Sequence, residues 1–396
     1  MQYSFANRIE TLKPSAIREM LKVTAEPGVI SFAAGNPAGD SISGPDICRL
    51  AEEILAEDPL AALQYSVTEG YTPLRDFLLR DLQRRWGIGT AADALIITAG
   101  AQQVMDLCTK ALCNEGDTVI CEDPSFIGAL NAFRSYGVRL AGVPVDADGM
   151  DMQALETQLK TQKNVRFIYT IPNFQNPTGV CLSFERRKQM YALAQKYNCM
   201  ILEDNPYGEL RFTGEDIPCI KSLDTDGRVI YAGSFSKVVS PGLRVGYCLA
   251  DAALVARLTA CKQVSDVHTG ILNQMICYRF ITELDFAAHL KRNRAIYKEK
   301  AEWMQNCCDR FLPQGVTYHP VSGGMFLWVT MPPEIDAAAL CAALTEKKVA
   351  AVPGNTFYTD LSRRADSVRL NYATPTKEEI ETGIRILGGT IREFMR

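Results

Sequence analysis

The 396-residue sequence has no long apolar run, little excess charge and few histidines. No stretch of about 18 consecutive apolar residues occurs, which argues against a transmembrane helix. The 42 basic and 46 acidic residues give a formal net charge of −4, so the basic excess typical of nucleic-acid-binding proteins is missing. The 3 histidines lie far apart, without metal-ligand spacing, and no carboxylate cluster replaces them. We therefore expect no membrane span, no nucleic-acid partner and no metal site.

Cysteine is frequent, but its pattern is not that of a scaffold. The 13 cysteines are an odd number and form no C-x-x-C pair, which disfavours both a disulfide framework and a zinc site. The N-terminus mixes charged with single apolar residues and lacks the continuous apolar core of a secretory signal. Free thiols and no visible signal peptide predict a cytoplasmic protein.

Short apolar runs alternate with amphipathic segments through most of the chain. Seven runs have the character of buried strands and are separated mostly by helix-length segments, a pattern typical of a largely parallel sheet covered by helices. The predicted strands are 94–98, 118–121, 138–145, 167–171, 200–202, 229–232 and 245–249. Apolar residues recurring every three to four positions predict helices at 46–56, 73–86 and 104–113.

The pattern changes after about residue 285. A long charged helix predicted at 286–311 leads to strands at 326–329 and 368–372 and then to a C-terminal helix. A short helix is also predicted around residues 17–23. We predict three parts: an N-terminal segment, 1–45, that joins a smaller domain; a large ligand-binding domain, 46–285; and a small α+β domain, 286–396.

Small and polar residues gather where the predicted strands end. In an open α/β sheet, ligands bind beyond the carboxyl ends of the strands. Taken singly, each of these ends has a plainer explanation. A glycine turn before a helix is common, an Asn-Pro-x-Gly turn can be an ordinary loop, and a carboxylate after a strand is often a helix cap. The ends are Gly100-Ala-Gln102, Glu122-Asp-Pro-Ser-Phe126, Asn176-Pro-Thr-Gly179, Asp204-Asn-Pro-Tyr207 and Ser234-Phe-Ser-Lys237.

Lys237 is the most informative of these residues. It is the one charged residue between Arg228 and Arg244, in a stretch of small and apolar residues. A lysine in such surroundings can lose its charge by desolvation and act as a nucleophile. The two serines before it, together with Arg244, could hold a phosphate. An amine, a phosphate site and a carboxylate at one sheet edge fit a phosphorylated aldehyde, and pyridoxal phosphate has all the complementary groups.

The spacing of three segments resembles that of the pyridoxal-phosphate-dependent aminotransferases of fold type I, class I/II. These segments are Asn176-Pro-Thr-Gly179, Asp204-x-x-Tyr207 and Ser234-x-Ser-Lys237-x6-Arg244. The opening, from Phe5-Ala-Asn-Arg-Ile to Gly35-Asn-Pro, is similar to the kynurenine/2-aminoadipate aminotransferase branch. The resemblance covers nearly the whole chain. It implies an α/β fold whose mostly parallel, seven-stranded sheet lies between helices, with a smaller α+β domain, and it assigns the cofactor to residues 46–285.

The resemblance also implies roles for the cofactor-binding residues. Lys237 would condense with the cofactor's aldehyde and later carry the substrate's α-proton, while Asp204 would keep the ring nitrogen protonated. Tyr207 and Asn176 would donate hydrogen bonds to the ring oxygen, and Phe126 would stack on the ring. The phosphate is assigned to Arg244, Ser234, Ser236, the backbone of Ala101 and Gln102, and Tyr65 from a neighbouring subunit.

The substrate's α-carboxylate is assigned to Arg369, whose guanidinium offers two parallel donors in one plane. Without the resemblance, this arginine would be an ordinary exposed strand charge. Gly35 and Asn176 are implied to contact the same substrate. One departure is Ala101, because related enzymes often have a hydroxyl residue there that binds the phosphate. The assigned role of Tyr65 implies a homodimer with shared active sites.

The implied activity is amino transfer by ping-pong half-reactions. The donor is an L-amino acid of the 2-aminoadipate, aromatic or branched-chain type, and the expected acceptor is 2-oxoglutarate. One alternative keeps the cofactor but makes the protein a C–S β-lyase, which begins with the same steps. The other is an aminotransferase-like transcription regulator, which needs an additional N-terminal DNA-binding segment. The match beginning within the first few residues disfavours that alternative.

Overall fold

The computed structural model describes residues 3–10, 12 and 27–396, so the helix predicted around residues 17–23 lies outside the described residues. None of the helices in these ranges is long and apolar enough to cross a membrane. The helices are α1 (Asn7–Glu10), α2 (Gly44–Glu57), α3 (Pro59–Leu63), α4 (Thr72–Trp86), α5 (Ala101–Leu112), α6 (Ile127–Arg134), α7 (Met152–Thr161), α8 (Phe184–Lys196), α9 (Ala252–Asp266), α10 (Ile271–Glu283), α11 (Phe286–Phe311), α12 (Ala337–Glu346) and α13 (Lys377–Phe394).

The described strands form one large and two small sheets. They are β1 (Ile30–Ser31), β2 (Asp93–Thr98), β3 (Thr118–Asp123), β4 (Arg139–Asp146), β5 (Gly149–Met150), β6 (Val165–Thr170), β7 (Met200–Asp204), β8 (Val229–Ser234), β9 (Gly246–Asp251), β10 (Thr317–Tyr318), β11 (Phe326–Thr330), β12 (Val349–Ala350), β13 (Val352–Pro353) and β14 (Ser367–Asn371). The large sheet has the order β2-β9-β8-β7-β6-β3-β4-β5.

The large sheet confirms the predicted α/β architecture. All seven predicted strands are present, with ends within two residues of the predicted ones. The sheet also contains an eighth strand, β5, which is only two residues long and therefore leaves no periodic pattern in the sequence. Strands β4, β3, β6, β7 and β8 pair in parallel, whereas β9 runs antiparallel to both of its neighbours.

Successive residues of the central strands pack into different cores. Val119 and Cys121 of β3 belong to the larger hydrophobic core, while Ile120 between them belongs to the core on the other face. All three are fully buried. Because side chains alternate between the faces of a strand, burial on both faces requires apolar residues at every position. This explains why these strands appear in the sequence as continuous apolar runs.

A smaller antiparallel sheet with the order β10-β11-β14-β13 lies in the C-terminal part of the chain. Helices α11 and α13 have the predicted positions, and α13 begins with a capping box between Thr376 and Glu379. The N-terminal strand β1 pairs in parallel with β12, more than three hundred residues later. These pairings support the three parts that we propose, with boundaries near residues 45 and 285.

The direction of the strands determines where the site lies. The carboxyl ends of β2, β3, β6, β7 and β8 all reach one edge of the large sheet. Since β9 runs in the opposite direction, its first residues and the preceding Arg244 reach the same edge. Residues far apart in the sequence are thus brought together there.

Candidate active site

A cavity of about 350 Å³ lies at this edge of the sheet. Tyr65 is not among its lining residues, but all the other residues that the sequence singles out are. These are Gly35, Ala101, Gln102, Phe126, Asn176, Asp204, Tyr207, Ser234, Ser236, Lys237, Arg244 and Arg369. The remaining lining residues are Asn36, Met105, Ile171, Pro206, Pro241 and Phe326. The cavity therefore brings the predicted amine, carboxylate and guanidinium groups together.

Lys237 follows β8, and its amine points to the N-terminal segment. Its Nζ donates a hydrogen bond to the carbonyl oxygen of Gly35 at 2.7 Å. No carboxylate pairs with this amine within the described ranges. Burial, with the positive charges of Arg369 and Arg244, lowers the pKa of Lys237 to about 8. A neutral, nucleophilic amine is therefore accessible close to neutral pH.

Asp204, the last residue of β7, has one carboxylate oxygen engaged and one without a partner. Its Oδ2 accepts a hydrogen bond from the Tyr169 hydroxyl at 2.8 Å, whereas its Oδ1 is buried with no partner. Burial raises the pKa of Asp204 from 3.8 to about 7, although the Tyr169 hydrogen bond opposes the shift. Because the folded-state pKa is the higher one, this carboxyl contributes most to stability below about pH 4, and the contribution is lost as the pH rises to about 7.

Arg369 projects from β14 as a buried cation, and no carboxylate in the described part of the chain pairs with it. Its Nη1 donates to Asn176 Oδ1 at 3.0 Å and its Nη2 to the carbonyl oxygen of Ala33 at 2.6 Å. Its Nε is buried without a partner, and the guanidinium lies over the rings of Phe326 and Phe357. Burial lowers the pKa of Arg369 to about 10. A buried charge is costly unless it is paired, so the group is suited to an anionic ligand.

Tyr207 and Asn176 lie between these charged groups. The Tyr207 ring packs edge-on against Phe326, with centroids 5.9 Å apart. Burial raises the pKa of Tyr207 above its usual value, which keeps the phenol protonated as a hydrogen-bond donor. Asn176 is almost fully buried and accepts from Arg369. Both side chains can thus orient a ligand placed between Asp204 and Arg369.

The first turn of α5 forms another wall of the cavity. Its N-cap, Gly100, has φ of 76° and no side chain caps the helix, so the backbone N–H groups of Ala101 and Gln102 are available to an anion. Gly246 of β9 packs directly against this turn. A Cβ at position 246 would lie 2.6 Å from the carbonyl carbon of Gly100, so only glycine fits there. The close approach of two backbones fixes the position of this turn.

Arg244 completes this wall. Its Nη2 donates to the carbonyl oxygen of Ala99 at 3.0 Å, and it forms no ion pair within the described part of the chain. Ser234 Oγ accepts a hydrogen bond from the backbone N–H of Ser236 at 3.1 Å. Hydroxyls, a guanidinium that is not neutralised by a carboxylate, and helix N–H groups are the donors that a phosphate requires.

Pyridoxal phosphate fits these groups. The unpartnered Oδ1 of Asp204 suits a protonated ring nitrogen, the Lys237 amine suits an aldehyde, and Arg244 with the α5 turn suits the phosphate. Phe126, which is partly buried at the start of α6, provides an aromatic wall for a ring. The departure at Ala101 leaves the phosphate with backbone donors at that position.

Two residues near the site were given no role from the sequence. Glu122, at the end of β3, is buried and accepts hydrogen bonds from Thr170 Oγ1 at 2.6 Å and from Gln175 Nε2 at 3.0 Å. Burial raises the pKa of Glu122 to about 7, although these hydrogen bonds oppose the shift. The second, Tyr169, bonds Asp204 from inside β6. The one feature of the sequence that pointed to Glu122 was its position at a strand end, directly before Asp123-Pro124.

Comparison with known proteins gives the family. Residues 27–387 match the family model described as aminotransferase class I and II, and the chain belongs to this family. It is therefore a pyridoxal-phosphate-dependent aminotransferase of fold type I, in the kynurenine/2-aminoadipate branch. The aminotransferase activity, the fold and the cofactor expected from the sequence are confirmed by these matches.

Three similar proteins illustrate the relationship. Aromatic-amino-acid aminotransferase 1 of Thermococcus litoralis is 37% identical, over 99% of this chain and 95% of its own length. The structure of the alpha-aminoadipate aminotransferase of Thermus thermophilus, complexed with N-(5'-phosphopyridoxyl)-L-leucine, is 38% identical with a TM-score of 0.91, over 99% and 98% of the two chains. The structure of the Pyrococcus horikoshii kynurenine aminotransferase is 36% identical in sequence with a TM-score of 0.95, over 99% of this chain and 98% of its own.

Proposed function

We propose that this enzyme transfers the amino group of an L-amino acid of the aromatic, 2-aminoadipate or branched-chain type to 2-oxoglutarate. The observation that carries the proposal is the buried Arg369, without an anion, in the same cavity as the Lys237 amine. An amino acid and a 2-oxo acid share the α-carboxylate that such a guanidinium binds. The names of the relatives support these donor classes.

Each polar residue then has a distinct task. When bound, pyridoxal phosphate supplies the carbon that carries the amino group and a ring that takes up negative charge from the α-carbon. Asp204 Oδ1 would hold the positive charge at the ring nitrogen, while Tyr207 and Asn176 would orient the ring through its oxygen. Lys237 Nζ would accept the proton from the α-carbon and deliver it to the cofactor carbon that receives the amino group, and it would move a proton in the opposite direction in the second half-reaction. Arg369, through Nε and one Nη, fixes the carboxylate.

The walls around this position are mostly aromatic and apolar. Phe126, Tyr207, Phe326 and Ile171 line the cavity. The basic residues among the described lining, Lys237, Arg244 and Arg369, are already assigned to the amine chemistry, the phosphate and the α-carboxylate. The described lining therefore suits an apolar or aromatic donor side chain better than an acidic one.

A panel of donors tests the proposed function. Purified enzyme loaded with pyridoxal phosphate is incubated with phenylalanine, tyrosine, kynurenine, 2-aminoadipate or leucine, with and without 2-oxoglutarate, and glutamate is measured. We expect glutamate only when both substrates are present, with the aromatic donors giving the largest kcat/KM. Release of pyruvate and ammonia from a thioether amino acid without any 2-oxo acid, at a higher rate than transfer, would instead identify a β-lyase.

We further propose that the enzyme is a cytoplasmic homodimer in which Tyr65 completes the phosphate site of the other subunit. Tyr65 is 79% exposed, outside its own cavity, and lies edge-on to His268. Leu60 and Leu63, each 69% exposed, and Val67 flank it. Such a run of exposed apolar side chains marks a surface that another protein chain covers. The thirteen cysteines are free thiols, as suits a reducing compartment.

Mixed dimers test the role of Tyr65. Tyr65→Ala and Lys237→Ala homodimers should each have low activity. After unfolding and refolding together, the heterodimers contain one site with Lys237 from one chain and Tyr65 from the other. We expect activity to recover to about a quarter of that of the wild type, because half of the chains form heterodimers with one complete site each. Recovery must coincide with a dimeric mass by sedimentation; no recovery would contradict a shared site.

A further inference from the structure

A lysine outside the cavity is held in a closed set of hydrogen bonds behind the phosphate wall. Lys262 of α9 is fully buried, and its Nζ donates to Gln103 Oε1 at 2.7 Å and to both oxygens of Asp266 at 2.8 and 2.9 Å. Gln103 Nε2 in turn donates to Asp266 Oδ2 at 2.8 Å. We call Lys262, Asp266 and Gln103 the Lys262 cluster. It joins α9 to the first turn of α5.

The Lys262 cluster contacts the turn whose N–H groups face the cavity. Besides Lys262, Gln103 Oε1 accepts the backbone N–H of Ala99 at 2.8 Å. The carbonyl oxygen of the same Ala99 accepts from Arg244. Both polar backbone atoms of Ala99 are therefore held by side chains, one from the Lys262 cluster and one from the cavity. No side chain caps α5 itself, so these contacts determine how its first N–H groups point.

The amine also determines which way the Gln103 amide faces. An ammonium has donors only, so the atom of Gln103 that faces Lys262 must be its oxygen. The same oxygen then faces the N–H of Ala99. Without the ammonium, Gln103 loses one of the three hydrogen bonds that fix its amide, and its bond to the N–H of Ala99 is held less firmly. Lys262 thus acts on the turn through Gln103.

We propose that Lys262 is a positioning residue for the cofactor's phosphate: through Gln103, it holds the Ala99–Gln102 backbone in the orientation that binds the anion. The proposal rests on the proposed function, because it assumes that a phosphate lies at the N-terminus of α5. Lys262 itself does not line the cavity. Asp266, whose side chain is 32% exposed, neutralises the ammonium and remains hydrated if the lysine is replaced.

The plainer explanation is that Lys262 merely joins two helices, and the chain offers a matched control for it. Lys110, near the other end of α5, also bonds to α9, with its Nζ donating to Ser265 Oγ at 3.1 Å and to the carbonyl oxygen of Cys261 at 3.4 Å. Neither of these bonds involves Ala99 or Gln103. Lys110→Met therefore weakens the same helix pair without disturbing the turn.

The experiment compares two ligands that differ by the phosphate alone. Cofactor-free full-length protein is titrated with pyridoxal 5'-phosphate and with pyridoxal, and binding is followed by the absorbance that develops as each aldehyde condenses with Lys237. Wild type, Lys262→Met, Gln103→Ala and Lys110→Met are measured in parallel. Gln103→Ala lies in a half-exposed first helical turn and carries the test if Lys262→Met does not fold.

We expect Lys262→Met and Gln103→Ala to raise the Kd of pyridoxal phosphate about tenfold and to leave that of pyridoxal unchanged within twofold, because one or two charge-assisted bonds to the phosphate are misaligned. Lys110→Met should keep the wild-type preference. An unchanged preference in the first two variants, or an equal loss for both ligands, would overturn the proposal. A wild type that binds both ligands equally would contradict the phosphate assignment itself.

Discussion

Lys237→Ala is expected to lower kcat by at least about 10⁴-fold and to abolish the yellow colour of the enzyme, because the variant lacks both the amine that condenses with the aldehyde and the base that moves the α-proton. In the structure this amine has one carbonyl partner, no carboxylate, and a pKa lowered to about 8. No other lysine lines the cavity among the described residues. Turnover and the visible absorbance of the purified protein are the measurements.

Lys237→Arg is the matched control for charge. It keeps a cation beside Gly35 but cannot condense with an aldehyde, so we expect it to be as inactive as the alanine variant. Borohydride reduction of the wild type should place a pyridoxyl mass on the peptide that contains Lys237. If either variant retains turnover and colour, or the mass appears on another peptide, the nucleophile has been assigned wrongly.

Arg369→Met is expected to raise KM for amino acids and 2-oxo acids alike by about 10²-fold, with bound cofactor unchanged. Two hydrogen bonds between charged groups, each of about 1.5 kcal/mol at least, correspond to this factor. Methionine keeps much of the packing against Phe326 and Phe357, where the guanidinium now lies. Steady-state kinetics for both half-reactions and spectroscopic cofactor content are the measurements.

Arg369→Lys and a substrate without a carboxylate serve as controls. Lysine keeps the charge but not the planar fork, so we expect a KM between those of the wild type and the methionine variant. Phenethylamine lacks the α-carboxylate of phenylalanine, and its half-reaction should proceed at the same rate with wild type and Arg369→Met. An unchanged KM for phenylalanine in the variant would show that the carboxylate is bound elsewhere.

The sequence was most informative at residues whose charged side chains are unusual for the segment around them. Lys237 in a stretch of small and apolar residues, and Asp204 directly after a buried strand, are unusual enough to be noticed, and both line the cavity. Arg369 was different, since a charge in a strand has an ordinary explanation and only the resemblance gave it a role. Its lack of an anionic partner became visible only in three dimensions.

What the sequence could not predict are contacts between side chains of distant segments. Tyr169 lies in a strand that is apolar on both faces, and nothing in the sequence shows that its hydroxyl meets Asp204. Gln103 and Lys262 are 159 positions apart on two different helices, where polar residues are expected to be solvated. Periodicity predicts which face of an element is buried, but not which polar atoms meet there.

The segment after β1 contacts both the large sheet and the small C-terminal sheet at the site. Ala33 accepts from Arg369 across 336 positions, and the next residue but one, Gly35, accepts from Lys237. During synthesis on the ribosome, Lys237 and the large sheet emerge well before Arg369 does, and folding proceeds from the N-terminal side. A nascent chain can therefore acquire its reactive amine before it can bind a substrate, and recognition of the carboxylate is completed only after β14 has been synthesised and has folded.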